Sequence, residues 1–138
     1  MKKILIAHDG SKPSYKAVKK AFEIAGKFGS SLTVISVIPE LYLTELMDID
    51  RARILETLSA ETSRAMEKIT ASAKGLRPIK TMIRQGNPAS EILSAAKKIK
   101  ADLIVTGSHG RHGAGKFLLG SVSSKIVDHA TCSVLVVK

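Results

Sequence analysis

Short, unbroken apolar runs alternate along this chain with longer stretches in which apolar residues return every three or four positions, and the alternation predicts strand and helix in turn. Residues 2–8 (KKILIAH) form the first run, which stops at the turn-and-cap sequence Asp9-Gly10-Ser11. From Pro13, the residues Ala17, Val18, Ala21, Phe22, Ile24, Ala25 and Phe28 recur at helical spacing, with Pro13 suited to a first turn and Gly26 and Gly29 at the exit. Residues 32–38 (LTVISVI) are β-branched and apolar and end at Pro39, which reads as a second buried strand.

Residues 39–50 (PELYLTELMDID) are mixed and serve either as a flap over a site or as a plain crossover. Ile54, Leu55, Leu58, Thr62, Ala65, Met66, Ile69 and Ala73 then mark a long helix over residues 51–73. Residues 79–84 (IKTMIR) alternate apolar and polar, as a strand near a sheet edge does. After Gly86-Asn87-Pro88, a helix carries Ala89, Ile92, Leu93, Ala96 and Ile99 on one face. A strand over residues 102–106, a helix over 121–130 and a strand over 133–137 complete the chain. Five strands joined by crossover helices predict an α/β protein with a five-stranded, parallel, doubly wound sheet and helices on both faces. Such sheets bind ligands at the carboxyl ends of their strands, where the loops after Asp9, Ile38 and Thr106 are expected to converge.

Composition changes this picture little. The 138 residues, 44% of them hydrophobic, suit one domain over 1–138, and 4% aromatics without Trp require a core of aliphatic side chains and Ala. A single cysteine, Cys132, and an opening with neither a cleavage pattern nor a span-length apolar run point to the cytoplasm and away from the membrane. The net charge of +10 attracts polyanions, but the basic residues are spread over every helix without interleaved aromatics, so solvated helix faces are expected and nucleic acid is not.

The chemistry concentrates in residues 106–123, TGSHGRHGAGKFLLGSVS. An apolar strand leads into a basic, glycine-rich loop, after which Gly120-Ser121 opens a helix; glycines permit close backbone approach, and a helix start supplies N–H donors and partial positive charge, so the expected guest is an anion such as a nucleotide phosphate. The segment from Gly110 to Phe117 nearly spells the phosphate-loop motif G-x-x-x-x-G-K-[ST], but Phe117 cannot ligate Mg²⁺ and the helix starts too late, which excludes a P-loop NTPase.

The other spacing, Gly107, two residues, Gly110, nine residues, Gly120-Ser121, resembles the G-2x-G-9x-G-[S/T] nucleotide signature of the universal stress protein family. The KKILIAHDGS opening, the Gly86-Asn87-Pro88 turn, the strand ADLIVTGSHG and the SVLVV ending extend the resemblance over the chain. It implies a flavodoxin-like strand order 3-2-1-4-5 and a protein that binds ATP, or ADP or AMP, in a stress-response or regulatory role. By matching motif, Gly107 and Gly110 let the loop wrap the phosphates, with Ser108, His109, Arg111, His112 and Gly113 beside them. Gly120, Ser121, Val122 and Ser123 supply N–H and hydroxyl donors. Ala7 and Val37 line the adenine pocket, and Asp9 lies near the ribose or near a phosphate-bound Mg²⁺ or Mn²⁺, which makes it an indirect metal residue. The resemblance also implies a homodimer, in line with an apolar last strand at a sheet edge. Protein partners are not specified.

Each residue has a plainer reading. Asp9 could merely cap the first helix or brace its turn, and Ser121 could be only the N-cap of the fourth helix. His109 and His112 in a basic loop do not make a zinc site, His8 and His129 are structural, and Cys132 is a packed residue. With Asp9 the one carboxylate near the phosphates, a slow metal-dependent ATPase is the alternative function, and no dedicated catalytic residue is assigned. A phosphoacceptor receiver domain is excluded, because Asp9 stands alone and Gln85-Gly86 follows the third strand.

Overall fold

A computed structural model describes residues 1–40, 47–109 and 118–138. The elements follow in the order β1 (Lys3–Ala7), α1 (Lys12–Phe28), β2 (Ser31–Pro39), α2 (Asp48–Ser72), β3 (Lys80–Gly86), α3 (Pro88–Ile99), β4 (Leu103–Gly107), α4 (Ser121–His129) and β5 (Ser133–Val137). The strands form one parallel sheet in the order β3-β2-β1-β4-β5, as the resemblance implied. Ile6 pairs with Val34 on one side and Val105 on the other, so β1 is the central strand. Residues 110–113, and most of the stretch between β2 and α2 that allows a flap, lie outside the described residues.

The period-two geometry of a strand sends alternate side chains to opposite faces, and both faces here are covered. Ile4, Ile6, Val34 and Val105 pack against α1 and, through Met66 and Ile69, against α2. Leu5, Ile35 and Ile104 pack on the other face against Ala89, Ile92 and Ala95 of α3 and Ile126 of α4. The central strands β2, β1 and β4 are continuous apolar runs because both their faces are covered, and the alternation over β3 reflects its edge position; β5 is an apolar run at the other edge.

Two helices begin on local caps. The Ser11 hydroxyl accepts from the Ser14 N–H at 3.3 Å ahead of Pro13, and Asn87 Oδ1 accepts from the Ser90 N–H at 3.0 Å ahead of α3. Asp102 ties the first strand to the fourth: its carboxylate accepts from the N–H groups of Lys2 and Lys3 at 2.9 Å each, and these bonds, that of Lys3 foremost, hold its pKa below the ordinary 3.8.

Two expectations about helix faces need correction. Phe28, the last residue of α1, is 66% exposed and joins neither core cluster. The apolar stripe of α2 is not all core: Met66 and Ile69 are buried, whereas Ile54 near the start of the helix is 37% exposed.

Candidate nucleotide crevice

The carboxyl ends of β1, β2 and β4 open into a crevice of about 500 Å³. It lies where the chain leaves β1 toward β2 on one side while β4 lies on the other, the switch point at which doubly wound sheets take ligands. The structure brings together Ala7, Asp9, Val37, Gly107, His109, Gly120, Ser121, Val122 and Ser123 along its walls. A second hollow of about 590 Å³ sits at the opposite end of the sheet, among Ile104, Cys132, Lys97 and Lys100. It faces the carboxyl ends of α3 and α4, where orphan carbonyls disfavour an anion.

The turn after β1 is built by Asp9 and Gly10. Asp9 Oδ1 accepts from the Ser11 N–H at 2.9 Å, and Gly10 takes φ 83°, a left-handed value open to glycine at no steric cost. Asp9 therefore braces its turn, and Ser11 rather than Asp9 caps α1; the carboxylate stays exposed at the crevice. Beneath it, His8 is buried with its ring edge-on to Tyr15, the centroids 4.6 Å apart.

Gly107 answers to a packing constraint that its motif does not reveal. A Cβ there would stand 2.7 Å from both the carbonyl carbon and the Cβ of Pro13. Contact with the first turn of α1 by itself demands the missing side chain, whatever the loop beyond it holds. Gly120 is less crowded, with a virtual Cβ 3.3 Å from the Ser108 carbonyl oxygen.

Ser108 is buried and does not line the crevice. Its N–H donates to the Val137 carbonyl at 2.9 Å, and its carbonyl accepts from the Gly120 N–H at 2.7 Å and from the Ser123 hydroxyl at 3.1 Å. Ser108 thus pins the end of β4 to the start of α4. Ser123 Oγ also lies 3.1 Å from the Gly120 carbonyl, so its proton is engaged within the protein and its backbone N–H is the donor it can turn toward a ligand.

The start of α4 differs from the starts of α1 and α3. Its N-cap is Gly120, which offers no side-chain acceptor, and the first intrahelical bond of this turn is that of the Ser124 N–H to the Gly120 carbonyl at 2.9 Å. The N–H groups of Ser121, Val122 and Ser123 precede any i−4 partner inside the helix, and all three residues line the crevice. A helix end with such donors attracts an anion of about the size of a phosphate.

The other end of the crevice is apolar and was largely illegible in the sequence. Ile38, Pro39, Pro88, Ala89 and Ile92 close it from β2 and α3, and Leu58, Thr62 and Ala65 from α2. A flat, apolar ring of the size of a purine suits such walls. Glu61 and Lys125 also line the crevice and add charge that the glycine spacing does not reveal. Among the described residues no three His, Cys, Asp or Glu side chains gather as ligands for an ion. Asp9 and Glu61, the two carboxylates that the described residues place on these walls, do not form such a group. Cys132 lies away from the crevice, packed beneath the Leu5 and Ile104 face; burial, and then the charge of Asp102, push its thiol pKa up, which keeps it protonated. Among the described residues no helix is long and apolar enough to cross a membrane.

Fold and crevice define a doubly wound α/β protein with an uncapped helix start at its switch point. The family model described as "Universal stress protein family" matches residues 1–138, and the chain belongs to that family. It is 39% identical to a universal stress protein of Methanocaldococcus jannaschii over 99% of this chain and 82% of that protein. Among solved structures, the universal stress protein UspA from Lactobacillus plantarum superposes with a TM-score of 0.91 at 30% identity, covering 99% of this chain and 97% of the other. A universal stress protein solved in complex with cAMP is similar at a TM-score of 0.73 and 24% identity, over 99% and 97% of the two chains; that likeness is one of fold.

Proposed function

We propose that this chain binds an adenine nucleotide, ATP foremost with ADP and AMP as alternatives, and serves the cytoplasm as a nucleotide-dependent stress-response or regulatory protein. The observation that carries the proposal is the start of α4, whose first turn lines the crevice without a side-chain cap; α1 and α3 are capped by Ser11 and Asn87, and the uncapped start of α2 at Met47 does not line the crevice. In this reading the phosphates sit on Ser121, Val122 and Ser123, the ribose lies beside Asp9, and the base enters the apolar end at Ala7 and Val37. Mg²⁺ or Mn²⁺ accompanies the phosphates with Asp9 beside it. The other loop residues of the signature, Gly110 to Gly113, lie outside the described residues and belong to the proposal by motif alone.

The test is chemical. Freshly purified protein, denatured and passed through a reversed-phase column, is expected to release an adenine nucleotide, or to take one up when ATP and Mg²⁺ are supplied. Protein that releases none and retains none after that incubation contradicts the proposal. The protein is further proposed to act as a homodimer through β5, an edge strand whose residues 134–137 are only half-buried.

A further inference from the structure

The charges on the crevice walls are unevenly placed. Among the described residues, the titratable side chains that line it are His8, Asp9, Glu61, His109 and Lys125. Asp9 and Glu61 are carboxylates. Without Lys125 the fixed charges of these walls would be acidic, an unfavourable setting for a chain of phosphates. Lys125 is the one lysine or arginine that the described residues contribute to the crevice.

Its position suits one task. Lys125 follows Ser121 by four residues in α4, so the two share a helix face. Cα–Cβ bonds tilt toward a helix N-terminus, so a lysine at this position is able to reach back over the first turn, where the uncapped N–H groups are. The residue is exposed and makes no ion pair among the described residues, whose two ion pairs are Lys20–Glu23 and Arg84–Glu91. Its ammonium, a compact charge on a flexible stem, can follow a phosphate chain out from the helix start.

We propose that Lys125 counts phosphates: it meets the phosphates beyond the one held at the start of α4, and so makes the crevice prefer a nucleoside tri- or diphosphate to the monophosphate. This rests on the nucleotide reading above. The backbone donors of Ser121 to Ser123 serve a phosphate that ATP, ADP and AMP all possess. Lys125 adds attraction in proportion to the charge that follows it.

Calorimetric titration of the full chain with ATP, ADP and AMP separates these roles. Replacing one exposed charge that faces a ligand charge is worth up to about fivefold in affinity. Lys125→Gln is therefore expected to weaken ATP about fivefold and AMP less than about twofold, Lys125→Glu to weaken ATP by about 25-fold, and Lys125→Arg to restore the preference. Lys16→Gln, on α1 and outside the crevice, is the control and changes none of the three. Raising the salt should compress the gap between ATP and AMP in the native chain and leave the Lys125→Gln gap nearly unchanged. Equal losses for ATP, ADP and AMP, or an unchanged preference carried by the basic residues of 110–117, overturn the role of Lys125 while leaving nucleotide binding intact. A native chain that binds none of the three overturns the underlying reading and this inference with it.

Discussion

Gly107 shows how a motif position can also carry a packing constraint that the motif does not reveal. It belongs to the glycine spacing at the end of β4, yet its missing side chain makes room for Pro13, whose backbone lies under 3 Å from the virtual Cβ. Because backbone cannot step aside as the tip of a flexible side chain can, Gly107→Ala is expected to cost about 1–3 kcal/mol of stability, read from the midpoint of urea unfolding. Gly120→Ala meets its nearest atom at 3.3 Å and should cost less. An equal or smaller loss for Gly107→Ala would show that α1 yields at that contact. The spacing of the glycines was legible in the sequence. The reason for Gly107 was not, since Pro13 comes from the far end of the chain and only the folded sheet brings the two together.

At the scale of elements, apolar runs revealed the strands, and caps revealed the starts of α1 and α3, because both signals are local. The helix α2 was harder. Its spacing by threes and fours announces a helix, but Met66 and Ile69 go to the core, Leu58 and Ala65 to the crevice, and Ile54 toward solvent, all on one continuous stripe. Periodicity cannot divide such a stripe, since a core and a crevice both favour apolar residues. The edge strand β5 carries a prediction of its own. It pairs with β4 on one side alone within the sheet, and Val136 packs in neither core cluster. Light scattering at micromolar concentration should find a dimer for the native chain and a monomer for Val136→Lys, because a lysine on an edge strand opposes pairing with a second edge. A native chain that scatters as a monomer would contradict the dimer.

Across the whole molecule, the parallel order of the sheet decides where binding chemistry is available. Residues as distant in sequence as Ala7, Val37, Gly107 and Ser121 meet at one switch point because β1 lies between β2 and β4. Of the candidate site, the glycine loop and the helix start were readable from the chain. The α2 wall, Lys125 and Glu61 were not, because a charged residue on an amphipathic helix reads the same whether it faces solvent or a ligand. Ser121→Asp probes the start of α4 without endangering the fold. An acid in the first turn suits the helix dipole and leaves stability unchanged or slightly raised, while it sets a negative charge against any phosphate there. Thermal unfolding with and without ATP and Mg²⁺ gives the reading: the native chain should gain melting temperature with ATP, and Ser121→Asp should fold normally yet gain almost none. An equal gain in both would place the phosphates away from α4 and rule out its first turn as their seat.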